Sequence, residues 1–452
     1  MKESSLEQYL RLYDGCRGMI EENAPAVLNS LRGEAYGVLQ RDGLSGAPKE
    51  NYPYTDLEKA LAPDYGLNLA RHIPKADPRQ SFRCDVPDLS TSLFFIVNDT
   101  FLAPAEHPQL PEGVTVCSLA EAARKYPEAI GKHYGSIADI ANPLVALNTM
   151  LVQDGMAVIV PDGVKIEKPL QLVSIFQSSV DLMGVRRVLV VAGKGSEVQI
   201  LLCDHTQNPD NSYLALQTVE LIAGEDSVLN FCELEESTEK TTRLSALYLS
   251  QEKGSRVNVN GITLFNGHTR NEYYCRLGGK DASLELCGLA IEDCTRTADT
   301  FSLIEHVSPE CRSNELFKYV ADDHSLASFS GRILVHPGAS GTEAYQSNRN
   351  IAGGEGRIYS KPQLEIYNDD VKCSHGCATG KLDEEQLFYM QARGIDAGDA
   401  RRMLKQAFMS DVIARVGIEA LRDRLRQLVA HRFGNPRQAC ASCASGCSLQ
   451  KK

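Results

Sequence analysis

The spacing of apolar residues divides the chain into three main regions. Residues 1–151 contain segments such as SLEQYLRLYDGCRGMIEE, whose apolar side chains recur at i, i+3 and i+4, and this spacing predicts helices interrupted by loops. Residues 152–382 consist of short alternating or β-branched runs such as RRVLVVAG and SEVQILLCD, which predict strands separated by turns. Residues 383–437 return to helical spacing and predict three amphipathic helices, and residues 438–452 form a tail that contains cysteines.

A weak repeat runs through the strand-rich region. The segments AGKGSEVQI, AGEDSVLNF, QEKGSRVNV and GGKDASLEL each combine a polar turn with an alternating strand, and they begin at Ala192, Ala223, Gln251 and Gly278. Their intervals of 31, 28 and 27 residues are too short for a propeller blade and fit one coil of a parallel β-helix. About eight such coils, spaced ~4.8 Å apart like neighbouring strands, would fill the region. Because both ends of such a column are open edges, we expect helical flanks and assembly with other subunits.

Composition and charge exclude several classes of function. The net charge of −12 over 452 residues argues against nucleic acid as the main partner, because phosphate binding needs a concentrated basic face. No run of about 18 apolar residues predicts a membrane span, and the N-terminus lacks the apolar core of a signal peptide. The fourteen cysteines lie mostly alone within strand-like segments, which suits reduced thiols in a cytoplasmic protein.

The charge is distributed unevenly along the chain. Between Arg401 and Arg437 there are nine lysines and arginines against three acidic residues, whereas the rest of the chain is acidic. This basic helical region indicates either a docking surface for an acidic partner or simply a solvated helix face.

The segment VKCSHGCATG, at the junction of strands and helices, concentrates candidate chemistry. Cys373, His375 and Cys377 lie within five residues, and we expect them on a loop, residues 374–382, that follows a strand. A thiolate and a neutral imidazole suit iron, zinc or copper, but these residues are too few to close a tetrahedral site. Three interpretations remain: an open metal site completed by another chain, a turn with a free thiol and a hydrogen-bonded histidine, or a cysteine nucleophile with His375 as its base.

The C-terminal tail holds a second cluster of thiols. Cys440, Cys443 and Cys447 have C-x2-C-x3-C spacing, which allows their sulfurs to ligate one iron or zinc ion. The segment is also terminal and rich in alanine and serine, which is typical of a disordered end. Both interpretations stay open at this point.

Longer stretches of the chain resemble a known family. EHVSPECRSNELFKYV, FSGRILV, TEAYQSNRN, KPQLEIYNDDVKCSHG and LDEEQLFYMQARGI are very similar, in this order, to the core of the SufB/SufD family of iron–sulfur cluster assembly proteins. The form DDVKCSHG resembles the SufD branch of the family, and ENYPYTDL resembles the family's WKYT element with Tyr52 and Pro53 in place of Trp and Lys. Three features depart from the family pattern: Cys377 replaces a small residue, residues 351–354 (IAGG) replace a leucine-rich segment, and the tail carries cysteines.

The resemblance implies a fold, a function and partners. It implies a mainly β protein, with a right-handed parallel β-helix core flanked by N-terminal and C-terminal α-helical domains. It also implies a non-catalytic scaffold that pairs with SufB through the β-helix and binds the ATPase SufC through the C-terminal helices. His375, with Cys373 beside it, would then contribute to a transient iron–sulfur cluster at the SufB interface, and an isolated chain could pair with itself.

Two observations bear on cofactors and on rival functions. The chain lacks the Walker sequence and any recognisable flavin motif, so we expect ATP hydrolysis to belong to a partner. One rival is a carbohydrate-active β-helix enzyme, which would need charged groups clustered midway along the column rather than at its C-terminal end. The other is a metal or redox carrier that works alone through the tail cysteines.

Overall fold

The protein is described here from a computed structural model. The structure describes residues 4–45, 52–69, 71, 91–104 and 108–434. The strands are β1 (Gly66–Leu67), β2 (Ser92–Val97), β3 (Thr100–Leu102), β4 (Thr115–Ser118), β5 (Asp154–Val160), β6 (Leu170–Phe176), β7 (Leu182–Ala192), β8 (Glu197–Thr206), β9 (Tyr213–Ala223), β10 (Val228–Glu236), β11 (Thr241–Gln251), β12 (Arg256–Phe265), β13 (His268–Leu277), β14 (Ser283–Glu292), β15 (Thr297–His306), β16 (Arg312–Ala321), β17 (Leu326–Val335), β18 (Thr342–Ala352), β19 (Arg357–Ile366) and β20 (Val371–Gly380).

Helices lie before and after the strands of the column. Within the described ranges they are α1 (Ser5–Asn23), α2 (Ala26–Asn29), α3 (Arg32–Asp42), α4 (Leu57–Ala60), α5 (Leu119–Lys125), α6 (Pro127–His133), α7 (Pro143–Leu151), α8 (Glu384–Ala392), α9 (Ala397–Ala414) and α10 (Glu419–Gly434). In the part of the chain that the structure describes, no helix combines the length and the apolar character needed to cross a membrane.

The strands form a parallel β-solenoid with two walls. Odd-numbered strands from β5 to β19 build one sheet and even-numbered strands from β6 to β20 build the other, so each coil contributes one strand to each wall. Paired residues are 26 to 32 positions apart, as for Thr242 with His268 and Asp154 with Arg186. The strand pairs from β5–β6 to β19–β20 make about eight coils. The prediction of a parallel β-helix core with helices at both ends is confirmed.

The predicted repeat corresponds to the turns that connect the two walls. Gly195, Asp226, Gly254 and Asp281 occupy the same point of successive coils, with φ values of 63°, 57°, 67° and 59°. The amide of each residue donates to a carbonyl in the turn of the next coil, at 2.7 to 3.2 Å. A left-handed backbone favours glycine and tolerates aspartate, which explains why Gly/Asp turns recur at the coil interval.

The N-terminal region covers the first coil with strands as well as helices. β2 adds in parallel to β6, and the short strands β3 and β4 pair antiparallel with β2 and β5. The prediction of helices and loops alone in this region was therefore incomplete. The sequence SLFFIV of β2 is buried on both faces, so it shows no alternation that would distinguish a strand from a buried helix.

The C-terminal helices pack against the outer face of the even-numbered wall. Met409 and Val412 of α9 and Leu421 and Leu425 of α10 join one buried cluster with wall residues such as Cys232. The Asp383 side chain caps α8, because it accepts hydrogen bonds from the amides of Glu385 and Gln386 in the first turn. The apolar faces of α9 and α10 are thus satisfied by the chain itself, and their polar faces remain outside.

Candidate functional site

The Cys373–Cys377 segment lies on a strand and not on the predicted loop. β20 pairs in parallel with β18 from Val371 to Gly380, so the expected loop over residues 374–382 was wrong up to residue 380. Local sequence favours a loop because the segment contains two glycines and several small residues. The coil overrides this preference, because the preceding coil offers β20 a complete ladder of backbone hydrogen-bond partners.

The side chains of Cys373, His375 and Cys377 share one face of β20. Residues two apart on a strand point the same way, so the three residues alternate with outward-facing neighbours. Their partners on β18 are all buried inside the column, and they are Ala344, Gln346 and Asn348. The three chemical groups therefore continue the inner face of the solenoid at its last coil.

The three groups differ in exposure. Cys373 is half-buried and packs against the interior cluster of the column, whereas His375 and Cys377 are exposed. Burial raises the pKa of the Cys373 thiol, and a hydrogen bond with the backbone of Ala344 opposes this effect. A thiol with a raised pKa is protonated at neutral pH and a poor nucleophile, so ligation by Cys373 requires a metal or a cation that displaces its proton.

The geometry favours an open site over a closed one. Among the described residues, no group of three or more His, Cys, Asp or Glu side chains is arranged to hold a metal ion. Cys373 and His375 are about 7 Å apart along the strand, which is too far for a nucleophile and its base to form a hydrogen bond. The segment can supply one or two ligands, and a metal bound there would need further ligands from elsewhere. Cys440, Cys443 and Cys447 lie outside the described residues.

Two polar residues inside the column were missed by the sequence analysis. One inward row reads Leu170, Ile200, Phe231, Val259, Leu286, Glu315, Gln346 and His375 through successive even-numbered strands. The row is apolar for five coils and then becomes polar below His375. Gln346 Nε2 donates to Glu315 Oε2 at 2.6 Å, and burial raises the pKa of Glu315 to about 7. The acidic residue within the strand-like segment SNELF was the one available signal for Glu315. It could not be used from sequence alone, because the segment does not show which face of the strand is inward.

Exposed aromatic side chains lie on the segments that flank β20. Tyr367 is 62% exposed and Phe388 is 73% exposed, and α8 contributes no buried residue. Within the described chain, β19 and β20 each pair with another strand on one side only. The C-terminal end of the solenoid thus combines two unpaired strand edges with exposed aromatic side chains.

The WKYT-like segment of the N-terminal region packs against the odd-numbered wall near this end of the solenoid. The Arg270 guanidinium lies over the ring of Tyr52, 4.6 Å from the ring centre. The Thr55 hydroxyl donates a hydrogen bond to the buried Asp299 carboxylate at 2.5 Å. Between them, Tyr54 stacks on Tyr359 of the edge strand β19 with ring centres 4.4 Å apart. The loop ties the N-terminal region to the last coil of the column.

Comparisons with known proteins identify the family. Residues 3–172 match the profile "SufBD protein N-terminal region", and residues 175–408 match "SUF system FeS cluster assembly, SufBD core domain". The chain belongs to the SufBD family. The core match includes strands β7 to β20 and α8, so the site described above lies within the part shared with the family.

Relatives of this SufBD-family chain carry related descriptions. An iron–sulfur cluster assembly SufBD family protein of Synechocystis is 26% identical, over 92% of this chain and 93% of its own length. The iron–sulfur cluster assembly protein SufD of Escherichia coli is 38% identical, but over 36% of this chain and 38% of its own length. The chloroplastic protein ABCI7 of Arabidopsis thaliana is 28% identical over 74% of this chain and 71% of its own length. These matches favour cluster assembly over the carbohydrate-active alternative.

Proposed function

We propose that this chain is a SufD subunit, a non-catalytic scaffold that builds a nascent iron–sulfur cluster together with SufB and SufC. The observation that carries the proposal is the position of Cys373 and His375, which end the inner face of the solenoid at an uncovered coil. The local similarity to SufD of Escherichia coli supports the choice of branch within the family.

Pairing with SufB is supported by the open end of the column. Unpaired strand edges invite addition of further strands, and proteins that keep such edges usually cover them. A second solenoid of the same family, placed edge to edge, would extend both walls and bury aromatic residues such as Tyr367 and Phe388. Such a partner would also face Cys373 and His375 with its own side chains. An isolated chain would use the same end to pair with itself.

The chemistry of the two residues suits a cluster that is cargo rather than a resident cofactor. Thiolate and imidazole are ligands for iron, but two protein ligands hold a cluster less firmly than the usual four. The protonated Cys373 thiol adds a further barrier to binding in the isolated chain. A site that is completed only in the complex can accept a nascent cluster and release it when the subunits separate.

Docking of SufC is supported by the charge and placement of the C-terminal helices. Arg401 and Arg402 lie in the first half of α9 and Arg426 lies in α10, and all three side chains are exposed. Since the apolar faces of these helices are buried against the solenoid, the exposed face offers mainly charged contacts. Rearrangement of SufC on hydrolysis of ATP would then be transmitted to the wall that carries the even-numbered strands.

The role of His375 is tested by reconstitution of the complex. We expect the His375→Ala chain to form a complex with SufB and SufC but to yield about 10-fold less assembled iron and sulfide per complex, since a ligand is lost. His324→Ala is the matched control, because His324 is an exposed histidine on a turn of the column away from β20. A cluster yield that His375→Ala leaves at the wild-type level would remove His375 from the mechanism.

A further inference from the structure

The polar pair beneath His375 has no explanation in the packing of the column. Leu286 fills the same inward position one coil before Glu315, so the walls accept an apolar residue there. Burying a carboxyl group in an apolar interior is unfavourable, and a single hydrogen bond offsets that cost only in part. Glu315 and Gln346 are nevertheless among the most buried side chains of the last coils. This cost indicates a purpose other than filling space.

The hydrogen bond between the two residues fixes the orientation of the Gln346 amide. Gln346 Nε2 donates to Glu315 Oε2 at 2.6 Å, and in either protonation state the carboxyl group keeps an oxygen that accepts from this nitrogen. The opposite wall makes room for the amide through Gly331, where a Cβ atom would lie 2.4 Å from Gln346 Nε2. The amide nitrogen is therefore committed downward, toward the interior of the column.

The oxygen of the Gln346 amide can accept a hydrogen bond but receives none. Gln346 Oε1 is buried, and it has no hydrogen-bond partner among the residues that the structure describes. A buried carbonyl oxygen without a partner is uncommon and destabilises the folded state. The next residue of the same inward row is His375, one strand spacing of about 4.8 Å further along the column. The imidazole of His375 carries a ring N–H, and the register places His375 directly beside Gln346 in the last coil.

We propose that Glu315 and Gln346 are positioning residues for His375, in which Gln346 Oε1 accepts a hydrogen bond from one imidazole nitrogen when a partner covers the last coil. This inference rests on the proposed function, because it takes His375 as a ligand of the nascent cluster and assigns Glu315 and Gln346 to its orientation. A histidine whose one ring N–H is held by a carbonyl presents its other nitrogen unprotonated, with the ring fixed in direction. Glu315 acts one step further away, by preventing the amide from turning over.

The test compares an apolar substitution with an exchange of the two residues. Gln346→Met keeps the length of the side chain and removes the acceptor, and we expect ~10-fold lower cluster yield in the complex with SufB and SufC, typical for loss of such a contact. The double variant Glu315→Gln, Gln346→Glu restores a donor below and an acceptor above, so its yield should recover toward wild type. Gln251→Met, at a buried glutamine far down the column, is the matched control and should leave the yield unchanged.

A spectroscopic readout separates positioning from packing. In a complex whose histidines in this chain carry 15N, pulsed electron paramagnetic resonance of the reduced cluster should show a nitrogen coupling that His375→Ala abolishes. We expect Gln346→Met to lose or shift this coupling while SufB and SufC still co-elute. If Gln346→Met keeps the wild-type nitrogen coupling and cluster yield while His375→Ala loses cluster assembly, the positioning role is overturned and the proposed function of His375 stands. If the Gln346→Met chain no longer binds SufB, Glu315 and Gln346 serve the packing of the column, and the positioning role is overturned as well.

Discussion

Individual side chains at the end of the column show what a sequence can and cannot reveal. The chemistry of Cys373 and His375 is visible in the sequence, because thiol and imidazole groups are ligands that suit iron, zinc or copper. Their inward direction is not visible, since alternation has meaning only once β20 is known to be a strand. Glu315 and Gln346 were missed for the same reason, because nothing in their own segments says which face is the inside.

Ionisation of single buried residues makes the stability of the protein dependent on pH. Glu292, at the end of β14, has its pKa raised to about 8 by burial, with Arg432 and Arg296 opposing the shift. The folded state therefore holds this proton more tightly than the unfolded state, whose pKa is near 4.5. The stability that this group contributes below about pH 4.5 is lost progressively as the pH rises toward 8.

Replacing Glu292 removes this dependence. We expect Glu292→Gln to be more stable than wild type at pH 8.5, by on the order of 1–3 kcal/mol, and nearly equal to it at pH 5, because glutamine never ionises. Urea unfolding of both chains at the two pH values measures the difference. The exposed Glu167→Gln variant is the control and should show no such gain. A larger gain at pH 5 than at pH 8.5 would contradict the assigned ionisation.

Strands and helices were predicted best where local signals and tertiary structure agree. Three helices were predicted after residue 383 from apolar spacing, and the structure shows α8, α9 and α10 there. The coil repeat was visible because left-handed turns restrict the choice of residue in each coil. β2 and β20 were missed, because one is buried on both faces and the other is rich in glycine. In both cases the neighbouring strand determines the conformation.

At the scale of single elements, the proposed docking of SufC depends on the exposed arginines of α9 and α10. Reversing two exposed charges, Arg401→Glu and Arg426→Glu, should lower co-purification of SufC and leave SufB bound, because the buried faces of both helices are untouched. The loss should be greater at low salt, where the attraction between exposed charges is strongest. Pull-down of both partners at two salt concentrations measures it.

A charge reversal on the other wall provides the control. Arg276→Glu changes an exposed arginine of β13, on the odd-numbered wall, and should leave SufC binding unchanged. Equal recovery of SufC with the double variant and with Arg276→Glu would show that the arginines of α9 and α10 do not form the docking surface.

At the scale of the whole molecule, the described residues form a column with unlike ends. Strands β2 to β4 and the N-terminal helices close one end, whereas β19, β20 and α8 leave the other end open. The sequence predicted the column and its approximate number of coils, because each coil repeats the same turn. It could not predict which end stays open, since that depends on whether flanking segments fold back over the edge. The open end coincides with the candidate ligands, and this coincidence underlies the proposed function.

Site-specific photo-crosslinking tests this account most directly. Tyr367, beside β20, and Tyr126, between α5 and α6, are both exposed tyrosines, 62% and 43% respectively, and each can be replaced by benzoylphenylalanine. We predict that irradiation of the complex links position 367 to SufB and leaves position 126 unlinked, as identified by mass spectrometry. A link to SufB from position 126, with none from position 367, would show that the partner covers a different surface and that His375 is not completed by it.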